Sequence, residues 1–240
     1  MEVRVFDDAV SLGRFAAEQV LEAIETRADA VIGLATGSSP LSLYAAWAEL
    51  ARERGTDLSA VRGFALDEYA GIAPAHPESY HSVISNEVVI PVGLTPEQVF
   101  VPSAEATEAA AADYEQAIAA AGGVDVQILG IGRNGHLGFN EPGSALDSRT
   151  RRVALSAETI EDNARFFDSA ADVPTEAITQ GLGTIMEARK LVILAVGETK
   201  AAAVAAAIEG PVTEAMPASV AQRHPNVVYV LDRAAASRLS

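Results

Sequence analysis

The chain has 240 residues, 49% of them hydrophobic, a formal net charge of −16 and no cysteine. It is long enough for one large domain with its own core, and the lack of cysteine excludes disulfides, thiolate metal sites and thiol nucleophiles. So acidic a balance argues against a nucleic-acid partner, which basic patches would bind. An anionic ligand could bind only where cations and backbone N–H groups are concentrated locally. The acidic surface itself reads as a device for solubility or salt adaptation. The opening MEVRVFDDAV lacks the basic-then-apolar pattern of a signal segment. No apolar run approaches the roughly 18 residues of a membrane span. The expectation is a soluble cytoplasmic protein with no membrane partner.

Residues 8 to 27 have the spacing of an amphipathic helix, with Asp7 or Asp8 as its cap. Ala30 to Ala35 is a short apolar strand, broken by Thr36-Gly37-Ser38-Ser39-Pro40. A second helix follows from Leu41 to Arg54, with Pro40 in its first turn and Ser39 as its cap. A strand near Gly63 to Leu66 ends in Asp67-Glu68-Tyr69. Helix is expected from about Pro77 to Val88, strand at Val99 to Val101, and helix from Thr107 to Ala121. The apolar run Val124 to Leu129 reads as a buried strand entering the glycine-rich stretch GIGRNGHLGFNEPG, residues 130 to 143.

Residues 151 to 180 are less regular and more polar, which suggests a mobile flap. A helix from Leu182 to Arg189, a strand from Leu191 to Val196, an alanine-rich helix from Glu198 to Glu209 and a strand from Asn226 to Leu231 complete the chain. The alternation predicts a single α/β domain over residues 1 to 240, a doubly wound, mostly parallel sheet with helices on both faces.

Four segments follow the C-terminal ends of predicted strands: TGSSP, LDEY, GIGRNGHLGFNEP and GETK. In a parallel sheet those ends share one edge, where ligands bind. TGSSP and GETK each open a helix, and free helix N-termini attract anions. Taken singly, TGSSP fits simple capping equally well, and Lys200 fits a solvated surface lysine; together they favour a phosphate site. Adjacent strand residues face opposite ways, so only one of Asp67 and Glu68 can face a ligand. A carboxylate at a buried edge can serve as a general base, although a cap or turn role also fits. His136 and Glu141 have the spacing of an oriented proton-transfer pair. His76, His81 and His224 lack local carboxylate partners and read as structural or surface residues. No metal-ligand spacing and no dinucleotide fingerprint is present, so neither a metal nor another cofactor is expected.

With these residues assembled, the chain resembles the glucosamine-6-phosphate isomerase/deaminase family. The likeness runs from GLATGSSP through LDEYAG, HPESYH, LGIGRNGHLGFNEPGS and SRTR to NARFF, GETKA and EGP. It implies a Rossmann-like fold of the sugar-phosphate isomerase type. It also implies conversion of D-glucosamine 6-phosphate and water to D-fructose 6-phosphate and ammonia, in amino-sugar catabolism, without metal or cofactor. By position, Asp67 matches the family's base, which moves a proton from C2 to C1 of the opened sugar. His136 matches the group that shuttles a proton between O1 and O5 during ring opening. Glu141 and Asn134 match the residues that orient it. Many members carry aspartate where this chain has Asn134, so the pH profile of ring opening is expected to differ. Thr36, Gly37, Ser38 and Ser39 match the phosphate loop, joined by Arg165 and Lys200.

Other enzymes of the same fold, a galactosamine-6-phosphate deaminase or a 6-phosphogluconolactonase, are the nearest alternatives, and a non-catalytic sugar-phosphate sensor is the alternative from another class. Some relatives are hexamers activated by N-acetylglucosamine 6-phosphate through a lysine after SRTR and a C-terminal aromatic residue. Here Val153 takes the lysine's place and the sequence stops at Ser240, while Arg151 and Ser144 remain. The expectation is a monomer or small homo-oligomer without that activation, with Arg151 in a hinge of the flap.

Overall fold

A computed structural model describes residues 1–240. The strands β1 (Glu2–Phe6), β2 (Val31–Leu34), β3 (Arg62–Ala65), β5 (Val99–Phe100), β6 (Val126–Gly130), β9 (Lys190–Ala195) and β10 (Val227–Asp232) form a seven-stranded sheet in the order β1–β10–β9–β6–β2–β3–β5. Every pairing in it is parallel. β2 is buried along its whole length, and β6 and β9 are buried except at one end residue, as strands covered on both faces must be.

Helices flank the sheet: α1 (Ala9–Thr26), α2 (Leu41–Arg54), α5 (Glu108–Ala120), α7 (Leu182–Met186) and α8 (Ala201–Glu209). α1 is capped by the Asp8 side chain, which accepts from Ser11 N at 2.8 Å. α1 packs tightly on α2 at Gly13, where a Cβ would lie 2.3 Å from the Ser42 carbonyl oxygen. No helix is long and apolar enough to cross a membrane.

From β2 the chain steps through β3 to β5 on one side. From β6 it steps through β9 and β10 on the other. The winding therefore reverses between the neighbouring strands β2 and β6, and a crevice opens beyond their C-terminal ends.

The structure departs from the sequence expectations at several places. β1 escapes them because this exposed edge strand alternates charged with apolar residues and pairs only with β10. Asp67-Glu68-Tyr69 does not end β3 but forms β4 (Asp67–Tyr69) of a second, antiparallel sheet with β7 (Arg151–Ala154) and β8 (Glu176–Thr179), in the order β4–β8–β7. Two stretches of the segment expected to be irregular are thus paired strands. Between them lie α6 (Ala157–Asn163) and two short 3₁₀ turns. Ser39 does not cap α2: Pro40 holds the cap position and no side chain bonds there. The helix expected from Pro77 starts as α3 (Tyr80–Ile84) and continues through a π turn, Ser85–Val89, into α4 (Ile90–Val92).

Candidate active site

The crevice between β2 and β6 is a cavity of about 470 Å³. All four strand-end segments reach it: Thr36 to Ser39, Asp67, Gly130 to Arg133 with His136, and Thr199 with Lys200. Of the ten residues expected at the site, eight line the cavity, including Arg165; Asn134 and Glu141 stand behind His136 instead.

Asp67 is 5% exposed. Its strand pairs with β8 so that Asp67 stands opposite Thr179. Gly138, in the left-handed region at φ 55°, lets the glycine-rich loop close over this pair. A Cβ there would stand 2.8 Å from Thr179 Oγ1 and 3.2 Å from Asp67 Oδ2. Burial, then the Glu68 charge, pushes the Asp67 carboxyl up to about 8, with the Thr179 hydroxyl opposing. Such a group takes and returns protons near neutral pH. Glu68 faces away. Its Oε1 accepts from Tyr69 N at 2.8 Å and Tyr80 N at 2.9 Å, and its Oε2 from His81 N at 2.9 Å, so it closes the N-terminus of α3.

On the other wall, the ring of His136 packs flat against Gly132, where a Cβ would lie 2.4 Å from His136 Cε1. Asn134 organises the turn: its Oδ1 accepts from His136 N at 3.1 Å and its Nδ2 donates to Glu141 Oε2 at 2.7 Å. That same Oε2 lies 3.6 Å from His136 Nδ1, an ion-pair separation just beyond hydrogen-bond reach, and the buried Nδ1 has no hydrogen-bond partner. The other carboxylate oxygen of Glu141 accepts from Ser156 Oγ at 3.0 Å and from Thr159 Oγ1. Burial would raise the Glu141 carboxyl, but His136, Thr159 and Asn134 outweigh it and hold the group at about 2. Glu141 is therefore a carboxylate at any physiological pH.

The third part is cationic. The uncapped first turn of α2 opens beside Ser38 and Ser39. Gly197, at φ 94°, turns the chain into the 3₁₀ turn that carries Lys200 to the cavity. Lys200 makes no ion pair. Burial lowers its ammonium, and Arg165 and Arg133 lower it further against the pull of Asp162 and Glu158. A phosphate dianion would relieve that repulsion. Arg165 is exposed, its guanidinium 4.6 Å from the Phe166 ring centroid.

Sequence reasoning missed the aromatic wall. Tyr69 packs on Tyr80 with ring centroids 4.9 Å apart, on Phe139 at 5.6 Å and on Phe167 at 5.6 Å. These residues lie far apart in sequence, and only the second sheet brings them together. Thr179, Ser156 and Thr159 were missed for the same reason. Of the other histidines, His224 is buried with Nε2 2.7 Å from the Ala188 carbonyl, and His76 and His81 are exposed. No group of three or more His, Cys, Asp or Glu side chains stands together as a metal site. Arg151 is no loose hinge: it donates to Asn140 Oδ1 at 2.8 Å and to Ser144 Oγ at 3.2 Å.

A buried carboxyl and a histidine beside a carboxylate face one cavity with a cationic end, on a sheet wound in this order. Residues 7–230 match the family described as glucosamine-6-phosphate isomerases/6-phosphogluconolactonase. The chain belongs to that family. Within this isomerase/lactonase family, it is similar to the glucosamine-6-phosphate deaminase of Pseudarthrobacter chlorophenolicus, 51% identical over 100% of this chain and 93% of that protein. The glucosamine-6-phosphate deaminase of Rhodococcus opacus is 52% identical with the same coverage. Among solved structures, a monomeric glucosamine-6-phosphate deaminase superposes with a TM-score of 0.96 at 38% identity, over 99% of this chain and 100% of that one. The 6-phosphogluconolactonase of Trypanosoma cruzi superposes at 0.77 with 21% identity, over 100% and 97%, a likeness of fold alone.

Proposed function

We propose that this protein converts D-glucosamine 6-phosphate and water to D-fructose 6-phosphate and ammonia. The observation that carries this reading is the pairing, across one cavity, of a buried carboxyl poised near neutrality with a histidine backed by a permanent carboxylate. Aldose-to-ketose proton transfer needs those two groups at a fixed distance from a phosphate anchor. The deaminases that align along the whole chain support the same reading.

In this account Thr36 to Ser39, Arg165 and Lys200 hold the 6-phosphate, and that remote binding aligns the small sugar. His136 takes the O1 proton of the pyranose and delivers one to O5, which opens the ring to the aldehyde. Asp67 removes the C2 proton while O1 regains a proton from His136, giving an enolamine, and Asp67 then returns its proton at C1. Water then adds to the resulting C2 iminium, whose nitrogen holds two hydrogens. As C2 becomes the carbonyl, one proton of the water passes to nitrogen, which leaves as ammonia, and the other is released. Glu141 and Asn134 orient His136. The part of the 151–180 segment between its two strands acts as a flap over the substrate.

A lactonase would need a water and an acyl-transfer site rather than a base over C2, and the burial of Asp67 favours the isomerase chemistry. The enzyme works as a cytoplasmic monomer, as the monomeric relative suggests. Arg151 is occupied by Asn140 and Ser144, with Val153 beside it on β7, so a second sugar phosphate finds little to hold it. The test is stoichiometry. Ammonia and fructose 6-phosphate should appear mole for mole from glucosamine 6-phosphate. Fructose 6-phosphate without ammonia, or neither product, would overturn the reading.

A further inference from the structure

Glu141 is shared between two parts of the molecule. Its Oε2 faces His136 and accepts from Asn134, both on the glycine-rich loop after β6. Its Oε1 serves the helix over the cavity. It accepts from Ser156 N at 3.3 Å, from Ser156 Oγ at 3.0 Å and from Thr159 Oγ1. Ser156 caps α6, accepting from Thr159 N at 3.1 Å, and its hydroxyl also reaches Thr159 Oγ1 at 3.1 Å. Thr159 is 2% exposed and belongs to the cavity wall, as do Asp162 and Asn163 of the same helix.

A second contact ties α6 to the same loop. Arg133, three residues before His136, pairs with Glu158 at 2.8 Å and Asp162 at 3.2 Å. The first turn of α6 and the loop carrying His136 therefore share one carboxylate and one guanidinium. Meanwhile His136 Nδ1 is buried without a hydrogen-bond partner, its nearest acceptor 3.6 Å away on that shared carboxylate. A buried polar atom left so close to an acceptor marks an interaction that a small movement completes.

We infer that Thr159 is a positioning residue: by holding Glu141, it makes the orientation of His136 depend on how α6 sits over the cavity. This rests on the deaminase reading above. Substrate contacts with the α6 segment, through Asn163 or Arg165 beyond it, seat the helix. Thr159 and Ser156 then carry Glu141 the remaining fraction of an ångström onto Nδ1, and only a seated helix gives a histidine fixed for ring opening. The donors on Oε1 fix the carboxylate on one side while the histidine takes the other, so neither can be replaced by burial alone.

The test compares the native chain with Thr159→Val, Thr159→Ser and Ser156→Ala. Steady-state ammonia release from glucosamine 6-phosphate is measured beside the affinity for the reduced, open-chain 2-amino-2-deoxyglucitol 6-phosphate, which needs no ring opening. Native release of ammonia establishes the underlying reading first; its absence sinks that reading and leaves the comparison to analogue binding. For Thr159→Val we expect kcat to fall about 10- to 100-fold, the worth of one hydrogen bond to a charged group read as rate. KM and analogue affinity should stay within about two-fold, given that one internal hydrogen bond and no ligand contact is removed. Thr159→Ser should restore most of the rate, and Ser156→Ala should show the same split as the valine variant. Analogue binding certifies that each variant is folded. A valine variant at least as active as the native chain overturns the inference. So does a loss shared by KM, kcat and analogue affinity, or a serine variant as poor as valine. If the valine variant does not fold, the split in Ser156→Ala decides alone.

Discussion

Asp67 and Glu68 are sequence neighbours with opposite tasks: Asp67 turns its carboxyl into the cavity, while Glu68 turns away and accepts from two backbone N–H groups at the start of α3 and from Tyr69 N. β4 imposes the division, since successive strand side chains alternate. Burial and the adjacent Glu68 charge then lift Asp67 to about 8.

The first prediction concerns that carboxyl. Asp67→Asn should still bind fructose 6-phosphate yet lose about 10²- to 10⁴-fold in turnover, the usual worth of a positioned base. Near-normal turnover in a folded variant would remove Asp67 from the mechanism.

Asp67 also makes a stability prediction. Its folded pKa lies above the ordinary 3.8, at about 8. Between those values the folded chain holds a proton that the unfolded chain has lost, so stability falls as pH rises across this window. An asparagine in its place does not titrate. The melting temperature of Asp67→Asn minus that of the native chain should therefore grow from pH 4 to pH 8, and differential scanning calorimetry across that range measures it. A constant difference would mean that burial does not raise this carboxyl.

How much of this site was legible beforehand depends on distance along the chain. TGSSP, GIGRNGHLGFNEP and GETK are local signals at the ends of apolar strands, and the parallel order puts them on one edge, as the structure has them. The Asp67/Glu68 choice could be posed from alternation, and Asp67 taken from the family resemblance, but the reason for it is Tyr80 N and His81 N, brought in by a turn no periodicity marks. The second sheet was illegible because β4 and β7 are short, and β8 completes them from a stretch more than a hundred residues beyond β4. With that sheet went Thr179, the Tyr69–Phe139–Phe167 wall and the contacts of Ser156 and Thr159 with Glu141. Ser39 looked like a cap by residue type, but Pro40 takes that position, and the turn stays open.

The next prediction uses shape rather than chemistry. His136 lies so close to Gly132 that any side chain there must displace the ring. Gly132→Ala should therefore lower turnover of the cyclic substrate much as His136→Gln does, although it deletes no functional group. The open-chain amino-glucitol phosphate should bind both variants nearly as well as the native chain. Native turnover in Gly132→Ala would show that ring placement is not what His136 requires.

Asn134 offers a pH test. It donates to Glu141 at 2.7 Å, and an aspartate there would put two carboxylates in contact. Like charges that close do not both ionise readily, so one would keep a proton well above the usual carboxylate range. Asn134→Asp should add an ionisation to the pH profile of kcat for the cyclic sugar. Superimposable native and variant profiles would contradict this role.

At the phosphate end, Lys200→Ala and Arg165→Ala should weaken fructose 6-phosphate far more than unphosphorylated glucosamine, and should reduce the salt dependence of binding. Isothermal titration at two ionic strengths measures both effects. In the same preparation, N-acetylglucosamine 6-phosphate should leave the hyperbolic kinetics unchanged. Sigmoidal kinetics relieved by that compound would reveal a second site coupled to the first.

The most direct test of the whole account is a side-by-side rate measurement on glucosamine 6-phosphate, galactosamine 6-phosphate and 6-phosphogluconolactone. The account predicts rapid ammonia release from glucosamine 6-phosphate, slower release from its galacto epimer and no enzyme-accelerated opening of the lactone. Lactone hydrolysis without ammonia release from either amino sugar would contradict it.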